Sequence, residues 1–382
     1  MELFLDLETR SKTDLTVVGL DNYARQAEIL ICAWAIDDGP VQLWQPRLGP
    51  IPFDIALEDP TVTKIAWHAP FERNVICRAL GIWVDYKFWR DPSILARHLS
   101  LPGGLEAVGE ILGLGDDEAK IKDGDRLIDL FCFPAREQEE QNLFGTIGIF
   151  NDWNSHPQDW EKFCDYCKRD VEAERTLWRK MSDFPLPQDD WDGWFLSEKM
   201  NDAGLPVNVS LCRKALALAE RYKAEAIAEL KVLTGLDNPN SPEQIKEWLS
   251  TRGFTGGSIR KDFVEQALNN PQSELTDEAR KVLKLRGQAA KGSFKKLQRI
   301  LDNVSPDGRL RNQFKYMGAA RTGRWSSADC QVQNLPRPIK QIKKDPERAL
   351  ALLEAEDYGT ISKEYPSVLS FVASCLRMMI QV

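Results

Sequence analysis

The run Phe4-Leu5-Asp6-Leu7-Glu8-Thr9 sets two carboxylates two residues apart inside an apolar stretch. Side chains alternate between faces along a β-strand, so Asp6 and Glu8 share one face while Leu5 and Leu7 take the other. Two adjacent carboxylates in a buried strand are costly unless positive charge lies between them, and at a strand end a divalent cation is the usual source. The plainer alternative is an edge strand whose acids face water.

The opening strand begins an alternation of strand and helix signals. Glu28–Ile36 is a continuous apolar run that fits a buried strand, and Val41–Trp44 is a short one. Asp37-Asp38-Gly39-Pro40 between them has the chemistry of a hairpin turn. Val62–Trp67 predicts a further strand, and Pro70 opens a helix that runs through Leu80. Leu105–Leu112 and Trp160–Met181 also read as helices. Together they predict an α/β domain over residues 1–183.

Phe184-Pro185-Leu186-Pro187 breaks any continuing helix, and residues 184–382 read as a mainly helical region. Trp191–Asp202 is one helix, with Gly204 placed to end it, and Leu211–Leu233 is a longer one. Ser241 before Pro242 is a good helix start. Thr276–Val304 is a further helical run. From Ser305 to Pro338 the chain is polar and poorly periodic, and a last helix is expected from about Pro366 to Met379.

Charge is distributed unevenly. The chain carries a formal net charge of −8, yet residues 280–344 hold 17 Lys and Arg against 3 Asp and Glu. That segment is therefore +14 and the remainder −22, the pattern of a polyanion-binding segment joined to an acidic domain. A solvated basic helix face explains it poorly, since the excess runs through helix, turn and loop alike. Eight scattered cysteines suggest reduced thiols in a cytosolic protein, and no apolar run approaches the roughly 20 residues of a membrane span. Cys164 and Cys167 form a CxxC without a second pair or a histidine cluster, which argues against a zinc site.

Two further segments carry acids in apolar company. Glu72 lies in the first turn of the helix opened by Pro70, where the helix dipole favours an acid. Tyr166 and Asp170 are four residues apart on a predicted helix and so share a face. Each signal is weak alone. The order and spacing of all three resemble the exonuclease motifs of the DEDD superfamily in its tyrosine-bearing subclass, the proofreading type of family A DNA polymerases. Glu72 stands where that family usually has aspartate.

The resemblance implies a ribonuclease H-like fold and phosphodiester hydrolysis with two Mg²⁺ or Mn²⁺ ions roughly 4 Å apart. Asp6, Glu8, Glu72 and Asp170 are then the expected metal ligands, with Asp6 between the two ions. Tyr166 is expected to orient the attacking water, because a phenol near its normal pKa is a poor base at neutral pH.

In the second half, Arg321-Thr-Gly-Arg-Trp-Ser-Ser-Ala-Asp-Cys-Gln-Val-Gln-Asn-Leu-Pro336 is similar to the stretch that begins the polymerase core of family A enzymes of the phage or bacterial type. Asp307-Gly-Arg-Leu-Arg311 fits the strand before it, and Arg286 and Lys291 match basic residues at the end of the thumb. This implies a thumb and partial palm that grip primer-template DNA, with the exonuclease acting on single-stranded 3′ ends. Arg321, Thr322, Arg324, Gln333 and Asn334 are expected on the minor groove, and Arg286, Lys291, Arg309 and Arg311 on phosphates.

The chain stops at Met378-Met-Ile-Gln-Val382, before the acids of the polymerase centre are expected. On the resemblance it is incomplete for polymerisation, as half of a split gene or as a truncated product. The apolar C-terminal residues Val368, Leu369, Phe371, Val372, Leu376, Met378, Met379 and Ile380 are expected to seek a partner surface, favouring a separate palm and fingers polypeptide. The competing reading is a non-catalytic DNA-binding subunit of such a split enzyme.

Overall fold

The computed structural model describes residues 1–115, 123–135, 139–142, 145–148, 150–256, 258–270, 272–289 and 293–380. Its strands and helices gather into two compact units, Met1–Leu205 with Asp302–Val332, and Pro206–Leu301 with Gln333–Val382.

The first unit is built on a mixed five-stranded sheet. Its strands are β1 (Glu2–Arg10), β2 (Glu28–Ile36), β3 (Gln42–Trp44), β4 (Thr63–Ile65) and β5 (Trp89–Arg90), in the order β3-β2-β1-β4-β5. β1 pairs antiparallel with β2, Asp6 opposite Ala33 and Glu8 opposite Ile31, and a bulge follows Glu8. β4 runs parallel to both β1 and β5. β4 is shorter than the sequence suggests. Trp67 gives its N–H to a side chain rather than to a strand, and His68 turns into the left-handed region at φ 67°.

The helices of this unit are α1 (Leu15–Ala24), α2 (Asp54–Glu58), α3 (Pro70–Val75, continued by a wider turn at Ile76–Leu80), α4 (Pro92–His98), α5 (Leu105–Ile111), α6 (Gly124–Cys132), α7 (Pro157–Met181) and α8 (Gln188–Ala203). The two faces of β1 serve two cores, as its alternation dictates. Leu3, Leu5 and Leu7 join Cys32 and Trp34 in a core with Val75 of α3, Leu95 of α4 and Trp194 of α8. Phe4 packs on the opposite face with Ile31, Ala33, Phe131 of α6 and Phe163 and Cys167 of α7. Asp6 and Glu8 therefore point from β1 toward α6 and α7, and not to a solvated edge.

The boundary expected at residue 183 falls inside this unit. The proline break does end α7, but Trp191 and Trp194 of α8 fill the first core, so compaction continues past it. The polar stretch after Ser305 also belongs here. Phe314–Ala319 and Arg324–Ser327 form an antiparallel hairpin. Asn201 of α8 pairs with both the N–H and the C=O of Phe314 at 2.9 Å, and Tyr316 donates to Asp190 at 2.7 Å. These side-chain bonds give the stretch an ordered place that its hydrophobic pattern does not announce.

The second unit is helical: α9 (Val209–Thr234), α10 (Pro242–Ser250), α11 (Lys261–Asn269), α12 (Asp277–Ala289), most of α13 (Ser293–Asn303), α14 (Lys340–Lys344), α15 (Pro346–Glu354), α16 (Tyr358–Glu364) and α17 (Val368–Cys375). Leu230, Ile245, Trp248, Leu249, Val282 and Leu283 form a core between α9, α10 and α12.

The C-terminal apolar residues do not wait for a partner. Val368, Leu369, Phe371, Val372, Leu376 and Met379 are all buried, and Asn208 at the start of α9 donates its N–H to the Met379 carbonyl at 2.8 Å. The unit covers its own hydrophobic tail, so that tail is no argument for a second polypeptide.

Candidate functional site

Three elements of the first unit bring acids together. β1 supplies Asp6 and Glu8, and their carboxylate oxygens and the Cys167 sulfur lie within 4.8 Å of one another. The Cys167 thiol is 3.6 Å from Asp6 Oδ2, and the Cys132 thiol approaches Glu8 Oε2 at 4.0 Å. Cys167 is thus taken up beside the acids, while Cys164 accepts from Gln45 Nε2 at 3.5 Å. All eight cysteines are free thiols.

α7 supplies Tyr166 and Asp170, one turn apart on the face that meets β1. Burial and the Asp170, Glu8 and Asp6 carboxylates raise the Tyr166 phenol far above its ordinary range, and its hydroxyl hydrogen-bonds Asp170. Phe163 stacks on Tyr166 at 6.2 Å between centroids, an interplanar angle of 10°. Gly124 on α6 makes room for the same ring: a Cβ there would lie 2.3 Å from Tyr166 Cε2. Glycine at 124 is a packing requirement of the tyrosine.

α3 supplies Glu72 in its first turn, as the helix start at Pro70 predicts. The two residues after it anchor the helix. Arg73 pairs with Glu198 and Asp202 of α8, and Asn74 donates to Pro70 O at 2.7 Å and exchanges hydrogen bonds with Asn312. Glu72 is 3% exposed, and its Oε2 is buried with no hydrogen-bond partner among the described residues. Burial first, then the charge of Asp6, push its carboxyl well above the usual range, and Glu174 and Asp91 add to the effect.

Glu174 and Asp91 are the acids that the motif spacing does not single out. Glu174 lies one turn beyond Asp170 on α7 and accepts the Trp67 N–H at 2.7 Å. Asp91 caps α4, taking the Ser93 N–H at 2.9 Å and the His68 N–H at 3.1 Å through one oxygen. Both are buried. The available signal for Glu174 was the continued spacing of four residues after Tyr166 and Asp170.

The arrangement gathers hard oxygen donors of one sign at a buried place, with an orphaned Glu72 oxygen among them. That donor set suits a hard divalent cation such as Mg²⁺ or Mn²⁺. Beside Glu8 opens a cavity of about 350 Å³, walled by Tyr23, Phe71, Ile128, Cys132 and Phe133 among others.

The expected nucleic-acid contacts are distributed over both units. Arg321, Thr322 and Arg324 are exposed on the 314–327 hairpin. Arg311 grips Asp307 through both ends of its guanidinium at 2.7 Å and the Asp202 carbonyl at 3.0 Å, while Arg309 donates to the Ala203 carbonyl. Those two arginines close the chain onto the end of α8. In the second unit Gln333 and Asn334 are exposed, and Lys296 holds the Asn334 carbonyl at 3.1 Å. Arg286 is half-buried on α12 and reaches the Asn240 carbonyl at 3.5 Å. Lys291 lies outside the described residues.

The chain is 37% identical over 379 residues to a DNA polymerase of Bacillus phage SP02, a match covering 98% of this chain and 56% of that protein. A solved structure of the POL domain of Pol1 from M. smegmatis, in complex with DNA primer-template and dNTP, superposes with a TM-score of 0.52 at 15% identity. That match covers 88% of this chain and 52% of the other and bears on the fold alone. The chain thus spans about half the length of each of these two proteins. No protein-family model matches the sequence.

Proposed function

We propose that residues 1–183, within the first unit, form a metal-dependent 3′–5′ exonuclease of ribonuclease H-like fold, attached to the primer-template-binding part of a family A DNA polymerase. The observation that carries this reading is the close pair Asp6 and Glu8 on β1, with the buried acids Glu72 and Asp170 within electrostatic reach and Tyr166 hydrogen-bonded to Asp170. Similarity to a phage DNA polymerase makes DNA the substrate class of choice. On this reading residues 1–183 hold the nuclease machinery, and residues 184–382 correspond to thumb and early palm.

Asp6, Glu8, Glu72 and Asp170 are the groups that hold Mg²⁺ or Mn²⁺. When bound, such ions supply positive charge opposite the transferring phosphate and acidify water, the chemistry of metal-assisted phosphodiester hydrolysis. Burial and three nearby acids push the Tyr166 phenol up from its ordinary range, which makes it a poor base. Its role is to orient the water that attacks, not to take its proton. The aromatic walls of the cavity beside Glu8 suit a terminal base, because ring stacking is tolerant of base identity. The exposed donors Arg321, Thr322, Arg324, Gln333 and Asn334 suit duplex contacts that do not depend on sequence.

A 5′-labelled single strand incubated with Mg²⁺ tests the reading. Wild type should shorten it from the 3′ end in single-nucleotide steps, and Asp6→Ala should slow this by about three orders of magnitude, the several kcal/mol that charge stabilisation at a metal site supplies. An intact strand with wild type would leave a DNA-binding role without catalysis, and equal shortening by Asp6→Ala would remove this group of acids from the reaction.

A further inference from the structure

The turn that delivers Glu72 is held by two buried acids on two different helices. Consecutive backbone N–H groups, Trp67 and His68, are taken by Glu174 of α7 at 2.7 Å and Asp91 of α4 at 3.1 Å. Between them the backbone enters the left-handed region at His68, a conformation that costs a non-glycine residue about 1–3 kcal/mol unless its surroundings enforce it. Four residues later the chain presents Glu72. Glu174 stands on the same face of α7 as Asp170, one turn on, so one helix both carries Asp170 and grips the turn leading to Glu72.

The placement of Glu174 is expensive. It is 1% exposed, its Oε1 has no hydrogen-bond partner among the described residues, and the carboxylates nearest in effect are Asp6, Asp91 and Asp170. Fold stability alone would favour an apolar residue here. The one thing that an apolar residue cannot do is accept the Trp67 N–H.

We infer that Glu174 is a positioning residue for the metal centre: by holding the Trp67 N–H it fixes Glu72 of α3 in register with Asp170 of α7. This inference rests on the metal-centre reading above. Its action is through the turn, by way of the Trp67 N–H. An amide oxygen can accept the same hydrogen bond, whereas a methyl group cannot.

The test compares Glu174→Gln with Glu174→Ala in the full chain, reading Mn²⁺ binding by electron paramagnetic resonance beside nuclease turnover. Glu174→Ala should weaken Mn²⁺ binding and lower kcat by about 10- to 100-fold, the usual effect of removing a group that orients a metal ligand, with KM for the strand unchanged. Glu174→Gln should restore both to within about threefold of wild type, since it keeps the acceptor. Wild-type Mn²⁺ affinity in Glu174→Ala, or equal damage from Gln and Ala, overturns the inference. Should wild type bind Mn²⁺ yet cut no DNA, the exonuclease reading falls while the Mn²⁺ comparison still decides the role of Glu174.

Discussion

Two groups of acids in the first unit are solved in opposite ways. Asp21 and the pair Glu198 and Asp202 are each matched with arginine. Arg78 reaches Asp21 at 2.6 Å, Arg25 at 2.9 Å, and Ser305 donates to it at 2.7 Å. Arg73 bridges Glu198 and Asp202, and those two carboxylates outweigh burial and keep it firmly charged. Glu72 and Glu174, by contrast, face mainly other acids, and each leaves one oxygen unbonded among the described residues. The first arrangement holds elements together. The second leaves them under electrostatic load, which is what a cation site requires before its ion arrives. Arg73 and Glu72 are neighbours on one short helix, so the stable network is the mount on which the loaded site rests.

The largest effect should come from breaking the mount. Arg73→Met strands Glu198 and Asp202 and should destabilise the protein by about 3–5 kcal/mol in urea unfolding. A loss below about 1 kcal/mol would mean that the network is solvated and contributes little.

On the loaded side, Tyr166→Phe should lower nuclease kcat by about 10²-fold, the lower range for a group that manages a proton or its water, while the melting temperature holds. Unchanged kcat would remove Tyr166 from the chemistry.

The smallest effect separates the two groups by pH. The Glu72 carboxyl is raised above its ordinary 4.5, so its favourable contribution is complete below that value and is lost as pH rises through the folded pKa. In metal-free protein, wild type should therefore fall behind Glu72→Gln by up to about 1.4 kcal/mol per pH unit above 4.5. Burial pushes Asp21 up too, but its hydrogen bonds from Ser305, Arg25 and Arg78 win and hold it below 3.8. Its contribution is present above 3.8 and is lost as pH falls, so wild type should lose ground to Asp21→Asn only in acid. Parallel slopes for the two variants would erase the distinction.

Much of the loaded site could be read from local periodicity. Alternation along β1 put Asp6 and Glu8 on one face, and helical spacing put Tyr166 beside Asp170. Pro70 marked the helix that carries Glu72. What stayed hidden depends on contacts between residues distant in sequence. Glu174 matters through Trp67, 107 positions away, and Asn201 orders the hairpin at Phe314 from 113 positions away. The charge of Arg309 and Arg311 is visible in the sequence, but the carbonyls of Ala203 and Asp202 that receive them are not. The hydrophobic tail read as an interface for the same reason, since its cover, the start of α9, lies far upstream.

On this reading the acids that β1, α3 and α7 bring together are arranged for a cation. Crystals of the full chain soaked in Mn²⁺ and measured at the manganese absorption edge test it most directly. An anomalous peak is expected among the carboxylates of Asp6, Glu8, Glu72 and Asp170, and it should be lost in Asp6→Ala. Manganese bound only elsewhere on the protein, with those four carboxylates empty at saturating Mn²⁺, would contradict it.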